Sequence, residues 1–249
     1  MINQKIKVGI VNYLNTKPML YGIEQPAFME KIELIKDYPA RVAELLKKGE
    51  IDVGLIPVAI IPELPQYHIA ADYCIGTETE VASVCLFSEV PIHEIKKVYL
   101  DYQSRSSVAL LKLLMKESWG IYPEMVQAED ESYRQQIKGT TAGLVIGDRA
   151  LEQRKISTFI YDLAQEWRKM SGLPFVFAAW VSIKPLPPSF IDDFNKANAL
   201  GLSHLDEIVA ANPFDIYDLK KYYTIHINYL LDEKKREGMN KFLDYLQHI

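Results

Sequence analysis

The sequence is short of the residues that mark several classes of function. Cysteine occurs only as Cys74 and Cys85, in apolar stretches separated by ten residues. Buried thiols fit that setting better than a disulfide or a metal site. The five histidines, His68, His93, His204, His226 and His248, show no His-x-x-x-His spacing, and there is no Cys-x-x-Cys pair. No metal and no other cofactor is expected. Basic residues are not in excess: 28 Lys and Arg stand against 33 Asp and Glu, a net charge of −5. That balance argues against a nucleic-acid partner, yet leaves room for a locally positive pocket that takes an anion. No apolar run approaches the roughly 18 residues of a membrane span. The opening "MINQKIKVGI" has neither the apolar stretch nor the small-residue site of a signal peptide. A cytoplasmic protein without a membrane partner is the expectation.

What is present suits a substantial core: 49 % hydrophobic and 24 % charged residues in a chain of 249. This length accommodates one large domain or two lobes of roughly 100–130 residues. Periodicity favours two. "IKVGIV", "KIELIKDY" and "IDVGLIPV" read as strands, separated by a helix from Pro18 and by the amphipathic "PARVAELLKKG". The same order returns in "KKVYLDY", "SSVALLKLLMKE", "PEMVQAED", "ESYRQQIKG" and "AGLVIGD". Strands alternating with helices imply parallel sheets. The strand-like "VASVCLFSEV" (81–90) and "PFVFAAWVSI" (174–183) are placed as the two crossings between lobes. The helical residues after Pro185, Pro187 and Pro188 are assigned to the first lobe. The expected division is 1–88 with 184–249 for lobe one, including the C-terminal helices, and 89–183 for lobe two. Such an α/β protein would bind a ligand between lobes, at the C-terminal ends of its strands.

Three strand ends then stand out. "VGIVNYLNTKPML" places Asn15 and Lys17 after the first strand, with Lys17 against the positive end of a helix dipole. A bound anion would relieve that conflict; a lysine pointing into water, with Asn15 as a simple cap, would equally explain it. "DYQSRSS" follows the matching strand of lobe two, and its Ser104, Ser106 and Ser107 suit either routine helix capping or a carboxylate cradle. "GDR" ends that lobe's last strand with Gly147 and Asp148. For Asp148, pairing with Arg149 or a helix cap is a further reading.

"VNYLNTKPM", "GEIDVGLIPV", "SRSSVALLKLL", "LVIGDRAL" and "DLAQEWRKMSGLPFVFAAW", in this order, resemble the chorismate dehydratases of the futalosine route to menaquinone. The resemblance extends through "INYLLDEKKREGMNKFLDYL" and implies a cytoplasmic lyase. It also implies a two-lobed type-2 periplasmic-binding-protein-like fold, with two strands crossing between lobes. The family's catalytic asparagine falls on Asn15 and a substrate-binding serine on Ser83, within "VASVC". "SRSS" matches a Ser-Arg-Thr-Ser form with Ser106 for threonine, and Ser171 stands where threonine is expected in "TGLPFVFA"; both changes keep the hydroxyl. A sister enzyme, 1,4-dihydroxy-6-naphthoate synthase, shares the fold but typically opens with a "SPCPNDTF"-like segment and uses a histidine; neither that opening nor a histidine in a cleft-facing motif occurs here.

The resemblance implies loss of water from chorismate, a dianion, to give 3-[(1-carboxyvinyl)oxy]benzoate, with the substrate's enolpyruvyl carboxylate as base. Asn15 would orient that carboxylate or the departing hydroxyl; Ser83, Ser104, Ser106, Ser107, Gly147 and Asp148 would line the binding site. Arg105 and Lys17 either steer the dianion or are solvated. Trp167, Phe175, Phe177 and Trp180 read as packing, with stacking on the ligand as the alternative. "KKYY" and "EKKREG" read as solvated helix faces. A non-catalytic small-anion binder of the same fold is the competing class; an exported binder would carry a signal peptide, and a regulator would carry a DNA-binding domain.

Overall fold

The structure, a computed structural model, describes residues 5–247. Its elements begin with β1 (Ile6–Ile10), α1 (Lys17–Ile23), α2 (Pro26–Met29), β2 (Ile32–Lys36), α3 (Pro39–Lys47), β3 (Val53–Pro57) and β4 (His68–Thr77). Then come β5 (Val84–Ser88), β6 (Lys97–Leu100), α4 (Ser106–Leu114), β7 (Glu124–Gln127), β8 (Thr141–Ile146), α5 (Asp148–Gln153), β9 (Phe159–Asp162) and α6 (Leu163–Ser171). The chain ends with β10 (Phe175–Ser182), α7 (Pro188–Leu202), α8 (Leu205–Ala211), α9 (Leu219–Lys221), β11 (Asn228–Leu230) and α10 (Glu233–Leu246). Two compact units result, divided at Gly76/Thr77, Phe175/Val176 and Asp232/Glu233.

The first unit holds a six-stranded sheet in the order β11-β4-β10-β3-β1-β2. β1 pairs in parallel with β2 and β3, whereas β10 runs antiparallel to β3 and β11 antiparallel to β4. "VGLIP" of β3 is buried throughout, as a central strand covered on both faces requires. The edge strand β2 turns Glu33 and Lys36 to solvent, which guards an open edge against further pairing. α1 and α7 cross at backbone distance: a Cβ on Gly22 would lie 1.8 Å from the Ala197 carbonyl oxygen, and one on Gly201 only 1.7 Å from that of Pro18. Any side chain at either glycine would push α7 off the start of α1, immediately after the Asn15 turn.

The second unit holds a five-stranded sheet in the order β7-β6-β8-β5-β9. β6 is parallel to β7 and β8, and β5 is antiparallel to both β8 and β9. The parallel expectation therefore holds for the helix-linked strands only.

Three other expectations need correction. Residues 81–90 do not form a crossing. Their strand, β5, lies fully buried between β8 and β9 inside the second sheet, and the chain changes unit earlier, at the end of β4. The stretch 174–183 does contain a unit boundary, at Phe175/Val176. The C-terminal helix α10 belongs to the second unit rather than the first, so the lobe limits 1–88, 89–183 and 184–249 shift accordingly. Packing explains that placement. Phe242, fully buried, meets Trp167 and Phe175 edge-on, with ring centroids 6.0 and 4.9 Å apart. Burying such a side chain contributes about 1.5–3 kcal/mol. A Cβ on Gly238 would come within 2.2 Å of the Pro174 carbonyl oxygen. "EKKREG" is a solvated face only in part: Glu233, Lys234 and Glu237 are exposed, but the Lys235 ammonium is buried and paired with Glu78 at 2.5 Å.

Candidate functional site

Asn15 lies beyond the C-terminal end of β1, in a 3-10 turn spanning Leu14–Thr16. The buried Thr16 hydroxyl secures the turn, donating toward the carbonyls of Val11 (2.6 Å) and Tyr13 (2.9 Å) and accepting the Tyr13 N–H at 3.2 Å. From β11, the Tyr229 hydroxyl donates to the Asn15 carbonyl at 2.9 Å. Burial beside Tyr222 and Tyr223 raises the Tyr229 phenol well above its ordinary range, so it remains a donor. Asn15 caps nothing, since Thr16 occupies the cap position of α1. Its side-chain Oδ1 is out of water and has no hydrogen-bond partner among the described residues. Buried polar atoms are rarely left so, and one that is invites an explanation in function. Lys17 is not turned to free solvent: its ammonium donates to Asn12 Oδ1 at 2.9 Å.

In the second unit the remaining candidates gather at one end of the sheet. β6 and β8 run parallel and finish there, leading into Asp101 and Gly147, and antiparallel β5 begins there just after Ser83. The Gly147 N–H donates to the Ser83 carbonyl at 2.8 Å, joining two candidates directly. Both stand on unusual backbone. Gly147 has φ 64° and ψ −148°, a region essentially closed to other residues. Ala82, beside Ser83, is the one non-glycine with positive φ among the described residues, at 62°. Glycine adopts such a conformation without steric cost, but for Ala82 positive φ costs of order 1–3 kcal/mol and persists because the surroundings enforce it.

The two strand ends are tied together by Asp101, whose carboxylate is wholly buried. It accepts from Arg149 (2.9 Å), from the Tyr133 hydroxyl (2.9 Å) and from the Gln103 N–H (2.8 Å). Burial pushes the Asp101 carboxyl up, and Arg149 with the two other donors draws it back. Burial and the neighbouring Asp101 carboxylate push the Tyr133 phenol far up, so it too stays a donor. Arg149 pairs with Asp101, across from the end of β6. Asp148 is not the cap of α5; it is the first helical residue, and Gly147 occupies the cap. At α4, the Ser104 hydroxyl accepts the Ser107 N–H at 3.1 Å, a capping contact. Ser106 and Ser107 are buried at the helix start, and Arg105 is exposed.

Several other residues are used for structure. Ser171 closes α6, its hydroxyl donating to the Trp167 carbonyl at 2.8 Å and accepting from Leu173 N–H at 3.1 Å. Trp167, Phe175, Phe177 and Trp180 are all core residues. The tyrosines of "KKYY" are buried, Tyr222 within a π-turn that follows α9, which corrects their reading as a solvated face. Cys74 and Cys85 are buried and not joined in a disulfide. Among the described residues no group of His, Cys, Asp and Glu is placed to hold a metal ion, and no helix is long and apolar enough to cross a membrane. His248 lies outside the described residues.

Asp101, Tyr133, Asp162 and Tyr229 escape the sequence reading. Asp162 alone leaves a local trace: followed three residues later by Gln165, it has the spacing of a capping box.

Comparison with known proteins agrees with this architecture. A Candida albicans protein described as having the generic periplasmic-binding-protein fold superposes with a TM-score of 0.64 at 14 % identity, over 99 % of this chain and 91 % of that one. A crystal structure of an Archaeoglobus fulgidus protein gives a TM-score of 0.76 at 17 % identity, over 98 % of both chains. In sequence, the chorismate dehydratase of Thermus thermophilus is 26 % identical over 262 residues, covering 96 % of this chain and 94 % of that protein. The family model for menaquinone biosynthesis matches residues 6–248. With that match running through both units, the chain belongs to the menaquinone biosynthesis family and has the periplasmic-binding-protein fold.

Proposed function

We propose that the protein is a chorismate dehydratase, a cytoplasmic hydro-lyase of menaquinone biosynthesis that converts chorismate to 3-[(1-carboxyvinyl)oxy]benzoate. The observation that carries this reading is the family match over residues 6–248. The Thermus relative, aligned along nearly its whole length, supports the choice of reaction.

In this reading a base removes the ring proton beside the ether oxygen. The electron pair left behind spreads through the diene toward the ring carboxylate, then forms the new ring double bond as the neighbouring C–O bond breaks. The hydroxide leaves with a proton as water. Aromatisation supplies a large driving force, so the protein's task is to hold geometry and assist proton movement. The substrate's own enolpyruvyl carboxylate serves as base, which suits a candidate set containing only one carboxylate, Asp148. Asn15 orients that base or the departing hydroxyl, a role for an amide that both donates and accepts and whose buried oxygen has no other partner among the described residues. Ser83 and the start of α4 take the ring carboxylate and stabilise the charge that develops on it. Gly147 and Asp148 complete the binding groups of the second unit.

Incubating the purified protein with chorismate tests the reading. The expected result is an aromatic product lighter by one water, formed equally well with chelator present. Tight binding of chorismate with no product would place the protein among non-catalytic anion binders instead.

A further inference from the structure

Ser83 is held by a turn that only its surroundings can keep in place. The Ser83 N–H returns to the Val81 carbonyl at 2.8 Å, closing a three-residue turn with Ala82 at its centre and φ at 62°. Turns of this hand are rare and strained. The Asp162 carboxylate, 4 % exposed, holds both peptide groups on its near side. Its Oδ2 accepts the Ala82 N–H at 2.7 Å and the Val81 N–H at 3.1 Å. Arg154 holds the far side, donating to the Ala82 carbonyl at 3.2 Å and to Cys85 Sγ at 3.3 Å. Oδ1 of Asp162 meanwhile accepts the N–H groups of Ala164 (3.1 Å) and Gln165 (3.2 Å) and caps α6. A cap needs no more than that one oxygen. The second oxygen faces the turn, where it also takes the Cys85 thiol at 3.7 Å, while Oδ1 shares the Val81 N–H at 3.2 Å. The turn passes its position to Ser83 and, through the Ser83 carbonyl, to Gly147.

We infer that Asp162 is the positioning residue for Ser83: its carboxylate forces Ala82 into the left-handed conformation that presents Ser83 at the end of β5. The inference rests on the reading of Ser83 as a substrate-binding residue. Two variants separate clamp from cap. Asp162→Ser keeps a capping hydroxyl at the start of α6 but cannot reach Val81 and Ala82. Ala82→Gly leaves Asp162 untouched and removes the penalty that makes the clamp necessary.

Hydrogen exchange over residues 81–88 and steady-state kinetics with chorismate are measured on both variants, on their combination and on the unaltered protein. In Asp162→Ser the Val81 and Ala82 amides should exchange at least about ten-fold faster while α6 stays protected. kcat should fall by about 10- to 100-fold, the scale of a misplaced contact, with KM changed far less. Ala82→Gly should melt no lower than the unaltered protein and keep kcat near normal, because the clamp is intact; added to Asp162→Ser it should restore part of the lost kcat, a rescue that a purely structural residue would not give. Unaltered exchange at 81–88 in Asp162→Ser, or no recovery of kcat when Ala82→Gly is added to it, would overturn the inference. Fast exchange in Asp162→Ser together with an unaltered protein inert toward chorismate would uphold the clamp and sink the dehydratase reading.

Discussion

Asn15 and Ser83 are held for their proposed roles in opposite ways. Around Asn15 the backbone is relaxed: an ordinary 3-10 turn, a buried threonine hydroxyl and one tyrosine donor hold it. What is unfavourable there is a single atom, the buried Oδ1 without a partner among the described residues, at a desolvation cost of about 1–3 kcal/mol. Around Ser83 the cost lies in the backbone itself, at Ala82, and it is offset by the buried Asp162 carboxylate, while buried Asp101 ties the neighbouring strand ends. The first arrangement separates function from stability, because removing the Asn15 amide removes the unfavourable element with it. The second couples them, because the groups that hold the site also hold the sheet ends together.

Asp101→Ala tests that coupling and should show the largest effect. The substitution removes the acceptor shared by Arg149, Tyr133 and the Gln103 N–H. Breaking one side of a buried ion pair costs about 3–5 kcal/mol, so the denaturant midpoint should drop steeply. A variant as stable as the unaltered protein would show that the second unit does not depend on its buried charges.

Asn15→Ala tests the opposite claim for the first unit. Turnover should fall by roughly 10²–10³-fold, the kinetic equivalent of about 3–4 kcal/mol, with the melting temperature unchanged or raised. Had Asn15 been a cap, alanine would cost about 0.5–2 kcal/mol of stability and leave turnover near normal. Asn12→Ala should do less to turnover. Measuring both quantities on the same sample distinguishes the two roles.

Tyr229→Phe should have an intermediate effect. It deletes one hydrogen bond to the Asn15 carbonyl, which is worth about 0.5–1.5 kcal/mol in stability. If Tyr229 aims the amide, turnover should fall by more than that loss accounts for, with little change in KM. A stability loss with normal turnover would mean that Thr16 alone positions the turn.

These contrasts explain what the sequence could reveal. Spacing alone places Asn15 and Gly147 at strand ends, whereas Ser83 comes only from the family resemblance, which sets it in a crossing strand and not at the end of β5 where it lies. The strands themselves were legible from hydrophobic runs such as "VGLIP". The direction of β5 was not, since a strand buried on both faces reads the same in either sense. Ala82 was hidden because nothing but glycine advertises a left-handed backbone. Asp162 shows its cap through local spacing but not its second duty, which depends on β9 pairing beside β5. Tyr222, Tyr223 and Lys235 sit in polar strings, and composition there says "solvent" although tertiary packing buries all three. α10 was assigned to the wrong unit for the same reason: the glycine and phenylalanine that dock it onto Pro174 and Trp167 act across more than sixty positions, beyond the reach of any local pattern.

Lys17→Ala should have the smallest effect, and salt sharpens it. Lys17 opens α1, where the helix dipole disfavours a cation by a few tenths of a kcal/mol. Its ammonium is held by Asn12 and lines a pocket of about 270 Å³ together with Lys36, Glu24 and Glu207. That mixed ring of charges leaves only a weak net field, and Tyr21 already engages Glu207 at 2.8 Å. A lysine that guides a dianion should therefore contribute a modest, screenable share of binding. Removing it should raise KM by a few-fold at low ionic strength and by almost nothing above about 0.15 M salt, where the Debye length falls to about 8 Å. kcat should not change. An effect that persists at high salt would mean that Lys17 touches the substrate, and a loss in kcat would mean that releasing Asn12 has disturbed the Asn15 turn. A salt-dependent KM with constant kcat would leave steering, and nothing closer, as the role of Lys17.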